Sequence, residues 1–236
     1  MANSTGSGTF SSSIGEAHNY HRWVVSLFRP YIGKSLLEIG MGHGGLFEHL
    51  PPLQNYIGLD IDRDLVAAAR ARRPDLRYVD ADLADPHLPT LIEGTNLDTV
   101  LCVNVLEHVE DDQRAVVNLL DLLDPGGHLL LFVPAFRALY TDLDRLAGHV
   151  RRYTKSQVRA LMPPSRCDLV LLEYFNPIGA IGWWANGMIT HRSLETRAVR
   201  DQVQVFDRYV LPISRFLNGA TRGVFGQSVV CVARKR

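Results

Sequence analysis

The stretch LLEIGMGHGG, residues 36–45, sets four glycines in six positions behind an apolar run that carries one carboxylate, Glu38. Glycine lets a backbone pass close to a charged ligand, because a side chain would occupy the ligand's place. Two spacings fit. Gly40, Gly42 and Gly45 satisfy G-x-G-x-x-G, which in a βαβ unit cradles a dinucleotide pyrophosphate. Glu38, Gly40, Gly42 and Gly44 satisfy another pattern, an acid followed by three alternating glycines. The glycines alone do not choose.

Outward from that turn, short apolar runs alternate with helical stretches. Residues 35–40, 55–60, 76–82, 97–104 and 127–134 read as strands, with helix-compatible segments at 44–51, 62–72, 87–93 and 110–123. Strands apolar on both faces and separated by helices imply a parallel sheet covered on both sides. Right-handed crossovers then line up the loops after the strands along one edge, where ligands bind in open sheets. Residues 167–175 and 227–235 look like two more strands, yet about fifty residues separate them, with helical patterning in 186–200 and 203–218. An antiparallel pair needs a loop of only about 2 to 5 residues, so the excess reads as an inserted cap. The expected fold is α/β and Rossmann-like. Its seven-stranded, mostly parallel sheet has the last strand antiparallel, with a helical cap inserted between the last two strands. The expected division is a flexible tail at 1–17, a nucleotide-binding domain at 18–175 with 227–236, and a cap at 176–226 over the ligand edge.

Bulk composition narrows the partners. The chain has 236 residues, with 25 basic and 25 acidic side chains and 46% hydrophobic residues. That balance is globular and gives no support for nucleic acid as main partner. Cys102, Cys167 and Cys231 sit dispersed in apolar surroundings and read as buried thiols of a reducing, cytoplasmic compartment. The nine histidines show no zinc spacing, so no metal is expected. The Ser/Thr/Gly-rich start is neither signal nor anchor, and no apolar run approaches the ~18 residues of a membrane span.

Glu38 separates the two nucleotides. Beside a pyrophosphate its charge would be repulsive, whereas beside the ammonium and sulfonium of S-adenosylmethionine it is favourable. Asp60, ending YIGLD, is placed to bond ribose hydroxyls of either cofactor. Further landmarks follow in order: DADLAD at 80–85, VNVLEHVED at 103–111 and LLDPGGHLLLFVP at 122–134. Together these motifs resemble the class I S-adenosylmethionine-dependent methyltransferases, from about residue 18 to 155 with the last strand rejoining. The resemblance implies a small-molecule methyltransferase that uses S-adenosylmethionine and releases S-adenosylhomocysteine. It implies Gly40, Gly42 and Gly44 at the methionine part, Glu38 at its amino group and Asp60 at the ribose. Ile61 and Asp82 fall to the adenine, Leu83 gives a backbone contact, and Asn104 lies near the sulfonium. More loosely, Tyr20, Arg22 and Trp23 would close over the carboxylate end.

Several residues keep a second reading. Asp60 could cap the following helix, although Asp62 fits that cap better. Asp82 competes with Asp80 for the adenine. Glu107 and His108 could simply begin the next helix. In TDLDRLAGHVRRYT, 141–154, the D-x-D tripeptide matches a sugar transferase metal motif only at chance level. The stretch GHVRRY resembles an acceptor-side element of the same family. There His149 is either a proton acceptor or an orienting hydrogen-bond partner, with Arg151 or Arg152 in a salt bridge and Tyr153 at the acceptor. Trp183, Trp184 and Met188 either pack the cap, wall an apolar or aromatic acceptor, or dock a lipid-linked one. A nicotinamide-dependent oxidoreductase, and a protein that binds the cofactor without transfer, are the rival readings.

Overall fold

A computed structural model describes residues 17–83, 85, 87–187, 201 and 203–236. The expected tail at 1–17 lies almost wholly outside them, as does most of the helical patterning at 186–200, with Met188. β1 (Ser35–Ile39), β2 (Asn55–Asp60), β3 (Arg77–Asp80), β4 (Thr99–Val103) and β5 (His128–Pro134) pair in parallel. β7 (Ser228–Lys235) enters antiparallel between β5 and β6 (Cys167–Phe175), completing the order β3-β2-β1-β4-β5-β7-β6. This is the expected mixed sheet. Its order reverses between β1 and β4, which opens a crevice at their carboxyl ends.

The strands need little more than their own pattern to form. All five positions of β1 are buried, and all seven of β5 but the first. Side chains alternate between faces. Leu37, Ile39, Leu129 and Leu131 join one core, with Val116, Leu119 and Leu120 of α4 (Asp112–Asp121) and Val158 of α6 (Lys155–Leu161). Leu36, Leu130 and Phe132 join the other, under Trp23, Val24 and Phe28 of α1 (His18–Phe28). Alternation therefore sends Glu38 to the α1 side with Leu36, under cover. Asp62 caps α2 (Arg63–Arg72) by accepting from the Asp64 and Leu65 amides at 2.9 and 3.4 Å, so Asp60 is released from that duty.

Two helices come out shorter than the pattern suggests. Residues 44–51 form a single 3-10 turn, Phe47–His49. Gly44 at φ +77° precedes it and Pro51-Pro52 follow, which leaves no room for a second turn. At 87–93 only α3 (Leu88–Leu91) forms. A short helix, α5 (Asp142–Leu146), follows β5.

Between β6 and β7 the described chain is helical. α7 (Pro177–Gly187) and α8 (Leu211–Thr221), the latter led in by a π-helical turn at Phe206–Val210, pack on one another. Asn176 joins this insertion to the sheet. It is wholly buried, at φ +62°. Its side-chain oxygen accepts from the Gly179 amide at 3.0 Å and from the Ser214 hydroxyl at 2.7 Å, and its amide nitrogen donates to Gln227 at 2.7 Å. Its own backbone N–H reaches Asn218 at 2.9 Å. Asn is among the few residues that tolerate this left-handed backbone. Asn176→Ala would strain the backbone and take a partner from the Gly179 amide, the Ser214 hydroxyl and half-buried Gln227, an expected loss of about 3 kcal/mol in urea unfolding. Asn176→Gly, which keeps the backbone free, should recover about 1 kcal/mol of that loss.

Candidate functional site

The turn after β1 is the close approach that the glycines imply. Gly40 sits at φ +68°, and a Cβ there would run into the Val105 methyl of the turn after β4. Gly42 and Gly44 share the left-handed backbone, at +53° and +77°. Most of the turn's amides point inward. Gly40 and Met41 donate to the Leu59 carbonyl at 2.8 and 3.1 Å, and Gly44 donates to the Met41 carbonyl at 2.9 Å. Gly42 donates to Asp60 Oδ2 at 2.8 Å, while Asp60 Oδ1 accepts from the Asp62 amide at 3.0 Å. A pyrophosphate cradle needs free amides and a helix start at this place. Here four amides are spent and no α-helix follows.

What the turn does offer is negative charge. Glu38 is 1% exposed, and its Oε2 accepts from the Tyr56 hydroxyl at 2.6 Å. Its Oε1 is buried with no partner. Burial pushes the carboxyl up to about 7, against the Tyr56 hydrogen bond and helped by the charge of Asp60. A buried acceptor without a partner is costly until a donor is supplied. Asp60 has only its two amide bonds, so lone pairs remain for further donors. Ile61 beside it is 48% exposed, an open apolar face. Past β3, Asp80 is paired with Arg63 at 3.0 Å, Asp82 is exposed one step beyond it, and the Leu83 side chain is in the core. Asn104 ends β4 exposed, at φ +53°, its amide bonded to the Phe132 carbonyl at 2.8 Å.

The amino-terminal helix departs from expectation. The indole of Trp23 is 4% exposed and packs on the Phe175 ring at 4.0 Å, so it is core and not a lid. Tyr20 packs edge-on against the same ring at 5.9 Å, and its amide donates to buried Asp207 at 2.7 Å. Arg22 is exposed.

A second group gathers beside the turn after β4. His149 Nδ1 lies 2.8 Å from Asp144 Oδ1, and its Nε2 3.7 Å from Glu107 Oε1. The His108 ring stands edge-on to it at 4.9 Å, with Nδ1 3.2 Å from the Gly148 carbonyl. Burial and the neighbouring His149 bring His108 down to about 4, and burial pushes Glu107 up to about 7 against the pull of His149. Asp144, wholly buried, is the hub that the motif reading passed over. It takes His149, Arg152 Nε at 2.7 Å, Trp183 Nε1 at 3.2 Å and the Thr141 amide at 2.9 Å. Burial alone would raise its carboxyl, but His149 and Arg152 outweigh that and hold it below the usual range. Its sequence signal was the capping box formed with Thr141.

The remaining acceptor-side residues divide. Arg151 pairs with Asp112 at 2.6 Å and Arg152 with Asp144, so both arginines are structural partners. Tyr153, expected at the acceptor, is instead 2% exposed, with its hydroxyl on Asp112 and the Leu106 carbonyl at 3.0 and 3.2 Å. Trp183 reaches back from α7 to Asp144, with the Arg152 guanidinium 5.1 Å from its ring centre, while Trp184 is half exposed. Because residues 44–54 make no α-helix, a groove of about 840 Å³ opens on the far side of the glycine turn, lined by Met41, Tyr56, Arg72 and Tyr78 among others. It holds none of the acceptor-side residues.

A family model described as a methyltransferase domain matches residues 37–129. The chain is 32% identical over 150 residues to a transposon-encoded 37.1 kDa protein of Streptomyces fradiae, covering 61% of this chain and 43% of that one. It is 30% identical over 114 residues to the ubiquinone biosynthesis O-methyltransferase of Ralstonia nicotianae, 45% of each. The chain thus spans less than half the length of these relatives. Among solved structures, an S-adenosylmethionine-dependent methyltransferase from Mesorhizobium loti aligns over 94% of this chain and 99% of its own, at TM-score 0.57 and 21% identity. The plantazolicin methyltransferase BpumL, solved with S-adenosylhomocysteine, aligns over 95% and 84%, at 0.55 and 13%. At these identities the structures share the fold.

The buried Glu38 carboxyl makes stability depend on pH. Folded, it titrates near 7 against 4.5 for the free group, so its contribution is full below about 4.5 and is lost as pH rises through 7. Glu38→Gln removes that loss. In urea unfolding the variant should gain on the wild type by about 2 to 3 kcal/mol between pH 4.5 and 8. A constant offset across that range would show the carboxyl already ionised in the fold.

Proposed function

We propose that this chain, which belongs to the class I S-adenosylmethionine-dependent methyltransferases, transfers a methyl group to a small apolar or aromatic acceptor, such as a natural-product or lipid-linked intermediate. The observation that carries the reading is the inward-spent turn beside a buried carboxylate oxygen with no partner. That arrangement suits an ammonium-bearing nucleoside and disfavours a nicotinamide dinucleotide.

In this reading Glu38 takes the amino group of the cofactor, and Gly40, Gly42 and Gly44 let its methionine part lie against the backbone. Asp60 receives the ribose hydroxyls on its remaining lone pairs. Ile61 covers one adenine face, Asp82 and the Leu83 backbone meet its edge, and Asn104 stands near the sulfur. S-adenosylmethionine supplies a methyl carbon already activated by the positive sulfur and leaves as S-adenosylhomocysteine. The protein's remaining work is to align a nucleophile behind that carbon and keep water out.

The acceptor enters between the carboxyl ends of β4 and β5 and the pair α7 and α8, which act as part of a cap at 176–226. Trp183, tied to Asp144, forms part of its wall, and Trp184 offers an exposed aromatic face. His149 is the acceptor-side residue. Asp144 fixes its Nδ1–H, so Nε2 turns a lone pair toward Glu107 and His108, available to a proton or to a cation. Among the described residues no helix is long and apolar enough to cross a membrane.

Asp60→Ala should weaken S-adenosylmethionine binding by about 1.5 to 3 kcal/mol in calorimetry, the range for charge-assisted hydrogen bonds. Unchanged affinity in a folded variant would remove the ribose assignment. An acceptor screen with methyl-labelled cofactor should place label on a small molecule. Tight cofactor binding with no label transferred to any acceptor would favour a binding protein instead, and thermal stabilisation by NAD alone would favour an oxidoreductase.

A further inference from the structure

Glu107 and His108 stand in the turn after β4 and His149 in the loop after β5, far apart in the chain. Each brings one potential ligand atom to within 4.8 Å of the others. Three observations make this more than a chance meeting. Glu107 is wholly buried, and neither carboxylate oxygen has a partner. A buried acid in that state is costly unless something cationic completes it.

Both imidazoles are oriented from behind. Asp144 faces His149 Nδ1 at 2.8 Å and the Gly148 carbonyl faces His108 Nδ1 at 3.2 Å. Carboxylate and carbonyl oxygens accept, so each Nδ1 carries the hydrogen and each Nε2 presents a lone pair. A carboxylate or carbonyl behind the ring is what orients a metal-bound histidine. The third observation is a distance. His149 Nε2 and Glu107 Oε1 are 3.7 Å apart, too long for a direct hydrogen bond. Two ligands on one tetrahedral ion at bonds of about 2.1 Å stand about 3.4 Å apart, so this pair has only to close by a few tenths of an ångström.

We propose that Glu107, His108 and His149 bind a divalent first-row transition-metal ion, with Asp144 positioning His149. Two imidazoles and one carboxylate suit zinc, manganese, iron or cobalt better than magnesium or calcium, which favour all-oxygen sets. The absence of zinc spacing in the sequence hid the site, because the fold and not the local chain brings the donors together. Asp144 of the D-x-D tripeptide takes part from behind the histidine and not as a ligand. Three protein donors leave coordination positions open. This deepens the methyltransferase reading and rests on it in one respect: an open position can take an acceptor oxygen and favour its deprotonated form. The acceptor proton then passes to solvent, and His149 serves as ligand.

The test uses the chain stripped with a chelator and titrated with Co(II), in the absence of cofactor and acceptor. Visible d–d absorption reports coordination, and elemental analysis after desalting reports stoichiometry. One ion per chain is expected. Glu107→Gln and His149→Ala should weaken binding at least about 100-fold, and Asp144→Asn about 10- to 100-fold. His128→Ala, at the opposite end of β5, should leave it unchanged. Circular dichroism establishes that each variant is folded, and His108→Ala replaces any that is not. No stoichiometric cobalt, or wild-type affinity and spectrum in the folded ligand variants, overturns the site. Calorimetry with S-adenosylmethionine on the same sample separates the two readings. Cofactor binding without cobalt binding sinks the ion site and leaves the methyltransferase reading standing, and cobalt binding without cofactor binding does the reverse.

Discussion

One carboxylate, Asp60, holds the ligand edge in its working shape. By accepting the Gly42 and Asp62 amides it ties the turn after β1 to the turn after β2. With the Leu59 carbonyl taking two more amides, little of the glycine turn's donor capacity remains for an anion. The same glycines in an N–H-outward turn would serve a diphosphate. Carboxylates thus flank the turn on both sides, while the glycines set how closely the backbone can be approached.

A second theme is the pairing of adjacent strands with buried acids. β1 carries Glu38, and the turn after β4 carries Glu107; β1 and β4 are neighbours. Burial drives both carboxyls up to about 7. Their partners differ. Glu38 has a tyrosine hydroxyl at one oxygen, whereas Glu107 has no hydrogen-bond partner at either oxygen and feels the nearby charges of His149, Arg152 and Asp144. Clusters of this kind gather at functional sites because a ligand can repay a desolvation that packing cannot.

Much of the architecture was legible in the chain. Continuous apolar runs marked β1, β4 and β5, and the fifty-residue gap before the last strand marked an insertion. The positions of Glu38, Asp60 and Asp62 also followed from local spacing. What escaped was set by tertiary contact. Trp23 and Tyr153 carry polar handles that suggest ligands, yet each lies in a core formed by strands distant in sequence. Asp144 looked like half of a chance tripeptide because the local fold of 141–154 turns His149 and Arg152 back onto it and Trp183 reaches it from α7. The helix expected at 44–51 failed because apolar spacing outvoted the glycines and prolines at its ends.

The junction at Asn176 and Gln227 has an evolutionary corollary. The Gln227 amide donates to the Phe175 carbonyl at 2.6 Å, so the insertion leaves and re-enters the sheet at a single stapled point. Closing a longer loop costs only about 0.6 kcal/mol per doubling of its length. Added length between those two residues therefore costs the sheet little, provided that the contacts of Asp207 with Tyr20, Asn218 with Asn176 and Trp183 with Asp144 are kept. Chain can be lengthened there while the sheet stays fixed, a route by which one scaffold acquires new surface.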